Sequence, residues 1–107
     1  MDNVIDYQKL RIALFNPQNV EFLTLTYAFC KKYFSNIIKT RELYYFLSKQ
    51  DLGNYVTSKY VYNKINYFTT LKLFTKTKIK ANRDIYEMNM VAVQILLDIE
   101  KKGIING

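Results

Sequence analysis

A chain of 107 residues, half of them hydrophobic, has room for one domain with a modest core and excludes two independent ones. Three glycines and one proline against ten tyrosines and seven phenylalanines exclude a disordered or low-complexity chain, and the lone cysteine, Cys30, excludes an internal disulfide framework and makes a reducing compartment the natural home. A formal charge of +7 invites a polyanionic partner, while the absence of histidine removes Ser-His-Asp and Cys-His catalysis and the commonest metal ligand.

In chain order, Val4 to Phe15 reads as a short helix. Asn16-Pro17 then supplies an N-cap and a proline at the first helical position, and Phe22, Leu23, Tyr27, Cys30, Tyr33 and Phe34 follow near a period of 3.6. Cys30 is therefore expected as a buried core thiol rather than a nucleophile. A further helix is expected from Thr40 or Arg41 to Lys49, with Leu43, Phe46 and Leu47 on one face, until Asp51, Gly53 and Asn54 break it. Thr57 is an N-cap candidate for the next helix, because its hydroxyl can accept the Tyr60 amide. Val61, Ile65, Phe68 and Leu71 draw one apolar stripe there, and Lys59, Tyr62, Asn63, Asn66, Tyr67 and Thr70 are left on the opposite, acid-poor face.

From Phe74 to Ala81 the period changes to two, with Lys76, Lys78 and Lys80 alternating with Thr75, Thr77, Ile79 and Ala81. Asn82-Arg83-Asp84 can turn and Ile85 to Met88 can return, so a hairpin with a basic tip is expected. The last helix is capped by Asn89, carries Val91, Ile95, Leu96 and Ile99, and ends at Gly103. Its other apolar residues, Ala92, Val93 and Leu97, widen the stripe beyond what a small core needs.

Charge follows this organisation. Residues 1–38 hold four Lys/Arg against three Asp/Glu, residues 39–83 ten against two, and residues 84–107 two against four. Such concentration is expected of elements that face phosphate, the other reading being a solvated lysine-rich surface from an A·T-rich genome. No apolar run reaches the ~18 residues of a membrane span, and residues 1–6 are acidic where a secretory signal is basic, so a cytoplasmic protein is expected. Lysines at strand period do not make the amphipathic helix that membrane-surface binding favours.

The order of helix, helix, helix, basic hairpin and helix resembles the winged helix-turn-helix family. The resemblance is carried by the run Val61, Ile65, Phe68, Leu71, Leu73, Phe74, then the Lys-rich strand and Tyr86-x-Met88. It is to small prokaryotic and archaeal repressors of the arsenic-responsive and multiple-antibiotic-resistance types, and covers roughly residues 20–102. It implies a mainly α fold with a small β-hairpin (α+β), a single domain over residues 1–107, a reading helix that starts near Thr57, and a basic wing. Two departures stand out. The distance from Leu43 to Val61 exceeds the family's compact turn, so either the turn is expanded around Asp51 to Tyr55 or the preceding helix runs further. Lys72 stands where the family often has glycine.

A helix in the ~12 Å major groove presents its first turns to base edges. Asn63 and Asn66 are candidates for adenine, and Lys59 for guanine or phosphate. Thr57, Ser58, Tyr62 and Tyr67 are candidates for bases or backbone, with packing of Tyr62 and Tyr67 against the wing as the other reading. Lys76, Lys78, Lys80 and Arg83 on the wing, and Arg41 before it, are candidates for phosphate, Arg83 also for the minor groove. One reading helix covers too few base pairs for useful specificity, so a homodimer is expected, through the C-terminal helix with the N-terminal helix beside it; ordinary core packing is the other reading of those apolar residues. The expected function is sequence-specific binding of double-stranded DNA, as a transcriptional regulator. A plasmid or viral segregation adaptor on a centromere-like repeat, and a winged-helix interaction module that does not bind DNA, are the alternatives. No enzyme is expected: Gly53, Gly103 and Gly107 are too far apart for a phosphate loop, and Asp98 and Glu100, two apart on a helix, do not face each other. Nor is any cofactor or metal site expected.

Overall fold

A computed structural model describes residues 4–77 and 85–101. The elements are α1 (Tyr7–Ala13), α2 (Pro17–Lys32), β1 (Ile37–Lys39), α3 (Thr40–Ser48), α4 (Ser58–Thr70), β2 (Phe74–Lys76), β3 (Ile85–Met88) and α5 (Met90–Lys101). The chain is thus mainly helical, with a three-stranded antiparallel sheet in the order β1-β3-β2.

Local chemistry sets the helix starts. Asp6 Oδ1 accepts from the amides of Gln8 and Lys9 at 3.1 and 3.2 Å, which starts α1 three residues later than the apolar pattern alone suggests. Asn16 Oδ1 accepts from the Gln18 amide at 2.9 Å, Thr57 Oγ1 from the Tyr60 amide at 3.0 Å, and Asn89 Oδ1 from the Ala92 amide at 3.1 Å. Each side chain thereby satisfies amides that have no partner within the helix. Two helix ends share a second device. At the end of α2, Ser35 N donates to Cys30 O at 3.1 Å and Phe34 N to Lys31 O at 3.3 Å, with Phe34 left-handed at φ 52°. At the end of α4, Leu73 N donates to Phe68 O and Lys72 N to Thr69 O, both at 3.0 Å, with Lys72 at φ 72°. These are Schellman closures, in which a left-handed residue lets the chain satisfy the last carbonyls and turn away. Phe34 is therefore not on the apolar stripe of α2; it stands 96% exposed.

β1 was not expected. It is three residues long and has only Ile38 buried, too short an alternation to be read as a strand. Its partner lies across the chain: Ile37, Ile38 and Lys39 pair with Glu87, Tyr86 and Ile85, while Phe74, Thr75 and Lys76 pair with Met88, Glu87 and Tyr86 on the other side of β3. The hairpin continues at least to Thr77, whose amide and hydroxyl donate to Ile85 O at 2.8 and 3.0 Å. The remainder of the expected basic tip, including Lys78, Lys80 and Arg83, lies outside the described residues.

The core gathers between the helices and the sheet. Phe22 of α2 stacks on Phe68 of α4 with ring centroids 6.2 Å apart and planes 5° from parallel. Ile38, Tyr86 and Met88 are buried from the sheet side, and Ala92, Val93 and Leu96 press α5 against α2. Val91 and Ile95 of α5 are exposed, so the surplus of its wide apolar stripe is this pair rather than Ala92, Val93 and Leu97. Cys30 is buried beside Met88, Sγ to Sδ 4.0 Å, and burial pushes its thiol up to about 11, which leaves it protonated and unreactive at neutral pH.

The long connection between α3 and α4 is an expanded turn, since α3 ends at Ser48. Gly53 takes φ 96° within it, and the Tyr55 hydroxyl donates to the Glu21 carboxylate of α2, with its ring 5.2 Å from that of Tyr60. A buried amide ties the same region together: Asn19 Nδ2 donates to Ala13 O at 2.8 Å, and its Oδ1 accepts from the Lys64 ammonium of α4. Among the described residues no helix is long and apolar enough to cross a membrane.

Candidate nucleic-acid interface

α4 has two unlike sides. Val61, Ile65 and Phe68 are buried, whereas Ser58, Lys59, Tyr62, Asn63, Tyr67 and Thr70 are exposed. Thr57, as the cap, is exposed at the start of the same helix and already spends one acceptor on Tyr60 N. The exposed side carries one cation, two side-chain hydroxyls at its first turn, two phenols and an amide, with no carboxylate anywhere in the helix. Tyr62 and Tyr67 are 40% and 44% exposed; the Tyr67 ring rests edge-on against Phe68 at 5.0 Å, which leaves its outer face to solvent.

Asn66 differs from its neighbours. It is half-buried, and its Oδ1 accepts from the Tyr86 hydroxyl at 3.1 Å. Tyr86 is fully buried on β3, so its phenol needs an internal partner, and Asn66 provides one. Helical spacing placed Asn66 with Asn63 on the outer face; the structure ties its carbonyl to the sheet. Lys64 also faces inward: burial lowers its pKa, and its ammonium lies against Asn19 and 5.5 Å from the centroid of the Tyr60 ring. It is therefore a packing cation rather than part of the outer charge.

Two exposed cations lie on elements that pack against α4. Arg41 is exposed in the first turn of α3, which packs against α4. Lys76 is exposed at the described end of β2, and α4 packs on β2 as well. Lys78, Lys80 and Arg83 cannot be placed in this surface, because they fall outside the described residues. One exposed cation near α4 lies outside the set expected from the sequence: Lys72, in the left-handed corner between α4 and β2, holds its charge at the helix C-terminus, where the dipole favours it. Its place among departures from a glycine pattern hid it. The surface as a whole offers donors and cations at a helix N-terminus and along one face, which can receive phosphate oxygens and base edges. Among the described residues no three His, Cys, Asp or Glu side chains come together to hold a metal.

Comparison with known proteins returned no matching family model, no matching curated protein and no matching solved structure.

Proposed function

We propose that the chain is a winged helix-turn-helix protein that binds double-stranded DNA as a homodimer, with α4 as the reading helix and the β2–β3 hairpin as the wing. The observation that carries this reading is the acid-free outer face of α4, opened by an N-cap at Thr57 and continued through Lys59, Tyr62 and Asn63. The placing of β1 between α2 and α3, and of a hairpin directly after α4, supports it.

In this reading Asn63 offers its amide to the N6/N7 edge of adenine, while Lys59 and the Ser58 hydroxyl hold the helix N-terminus on phosphate. Arg41 and Lys76 add phosphate contacts on either side, and the affinity they bring comes from released counterions rather than from sequence. Asn66 keeps its carbonyl on Tyr86 and acts by fixing the helix on the sheet. The seam of the dimer is the exposed pair Val91 and Ile95 on α5, with Ile12 and Phe15 of the N-terminal region beside it. The protein acts in the cytoplasm as a regulator and performs no catalysis.

Selection of duplexes from a random pool tests the proposal, together with the mass in solution by light scattering. A palindromic consensus and a dimeric mass that Ile95→Asp reduces to the monomer are the expected results. A pool that shows no enrichment contradicts the reading, and a tandem array of direct repeats contradicts the regulatory role.

A further inference from the structure

The face of α4 leaves a second concentration of exposed rings and cations unused. Between the end of α2, the edge strand β1 and α3 lies an open groove of about 760 Å³. Its base is aromatic, because the Phe29 ring lies 5.1 Å from Tyr33 and 5.2 Å from Phe46. Tyr33 and Tyr45 both line the groove and are 57% and 58% exposed.

The rim is basic. Lys32 comes from α2, Lys39 from β1 and Lys49 from the end of α3, against one carboxylate, Glu42. The Lys32 ammonium sits 5.5 Å from the Tyr33 ring centroid and 6.0 Å from that of Phe46, so it is held over the aromatic base. Among the described residues neither Lys39 nor Lys49 has a side-chain partner. Three cations with one acid select an anionic occupant. Two tyrosines that are each more than half exposed select flat, unsaturated groups, because an aromatic ring gains most from another π-face. A paired base stack hides its base faces inside the duplex, whereas an unpaired strand displays them next to its phosphates.

We propose that this groove binds single-stranded nucleic acid, with bases stacked on Tyr33 and Tyr45 and phosphates drawn by Lys32, Lys39 and Lys49. The site does not rest on the duplex reading, since it is built from α2, β1 and α3 and shares none of the outer residues of α4. An acidic peptide would meet the same lysines and could accept from the tyrosine hydroxyls, but its carboxylates make no use of the ring faces.

The test is an anisotropy titration of the full chain with labelled dT and rU oligomers of about eight nucleotides, a length within the usual site size of a stacking groove. Binding of either oligomer is expected, with a log-log salt slope of about −2 if all three lysines neutralise phosphate, falling by about 0.7 in Lys49→Gln. Tyr45→Ala is expected to weaken binding by roughly 5- to 150-fold while Tyr45→Phe keeps it, as stacking requires. Tyr33→Ala is expected to act in the same direction. Because Tyr33 also packs on Phe29, thermal melts accompany that variant, and the Tyr45 pair decides if Tyr33→Ala lowers stability. Asn63→Ala is expected to leave oligomer binding unchanged, so a failed duplex reading and a failed groove are told apart. The proposal is overturned if an abasic oligomer binds as tightly as dT, if Tyr45→Leu binds as well as Tyr45→Phe, or if duplex binding falls with the groove variants. It is equally overturned if a poly-glutamate peptide binds the groove in preference to both oligomers.

Discussion

Removal of the Asn19 amide is expected to reduce the stability of the fold by about 2 kcal/mol. Asn19 is 5% exposed and joins the end of α1 to α4 through two bonds, one to Ala13 O and one from Lys64. A neutral internal hydrogen bond is worth about 1 kcal/mol net and one to a charged group about 1.5–3. Both values need adjustment from the structure. Ala13 O keeps a second donor, the Asn16 amide at 3.2 Å, so its loss stays near 1 kcal/mol. Lys64 is only half-buried and can turn its ammonium toward water, which reduces its share to about 1 kcal/mol as well. The cavity left by Asn19→Ala adds to the cost, and the better helix propensity of alanine returns up to about 0.7 kcal/mol. The assay is urea unfolding followed by circular dichroism. With a slope of about 1–3 kcal/mol per molar, the midpoint should fall by roughly 1 M at unchanged slope. A cycle with Lys64→Met should give a coupling of about 1 kcal/mol. A midpoint shift equivalent to less than about 0.5 kcal/mol, together with no coupling, would contradict a stabilising role for these two bonds, since surface substitutions alone reach that size.

Other consequences follow from single residues. Thr26 Oγ1 is buried and has no partner among the described residues, so Thr26→Val should raise stability by about 1 kcal/mol; a decrease in the melting temperature contradicts this. Lys72 at φ 72° bears a left-handed backbone that glycine adopts at little cost, so Lys72→Gly should raise stability by about 0.5–1 kcal/mol, seen as a higher urea midpoint. High pH should be destabilising through the tyrosines that face Glu21. The hydrogen bond to Glu21 pushes the Tyr55 pKa up to about 12, and burial raises that of Tyr60, so the folded state keeps protons that the unfolded state releases near the ordinary phenol value of 10.0. Their stabilisation is complete below pH 10 and is lost as the pH rises toward 12. Lys64, whose pKa is lowered, acts in the opposite sense below 10.5, so the comparison is between the native chain and Glu21→Gln. The substitution should flatten the alkaline fall, and an unchanged pH profile contradicts the assignment.

What could be read from the chain itself was the chemistry that works within a few residues. Asn16-Pro17, Thr57 and Asn89 cap their helices with their own side chains, so the starts of α2, α4 and α5 were visible without tertiary knowledge. β1 was hidden because its three residues become a strand only through β3, some fifty positions later in the chain. The double role of α4 was partly visible. The stripe of Val61, Ile65 and Phe68 marks the core, but the inward tie of Asn66 depends on the Tyr86 hydroxyl, which helical periodicity cannot register. The same applies to the stripe of α5, where the choice between Ala92 and Val91 as core is made by the position of α2. The groove is the least legible feature. Its rings and lysines lie on α2, β1 and α3, and it is the packing of α3 on α2 and β1 that gathers them around one groove.

Duplex binding by variants of the α4 face decides whether α4 is the reading helix. The measurement is an anisotropy titration of a selected A·T-containing duplex with the native chain, Asn63→Ala and Lys59→Ala, each at two salt concentrations. Asn63→Ala should weaken binding by roughly 5- to 150-fold, the equivalent of about 1–3 kcal/mol for a bidentate base contact, and relax discrimination at one base pair. Lys59→Ala should weaken all duplexes alike and reduce the salt slope by about one. Affinity, discrimination and salt slope that are unchanged in both variants would show that α4 does not read DNA.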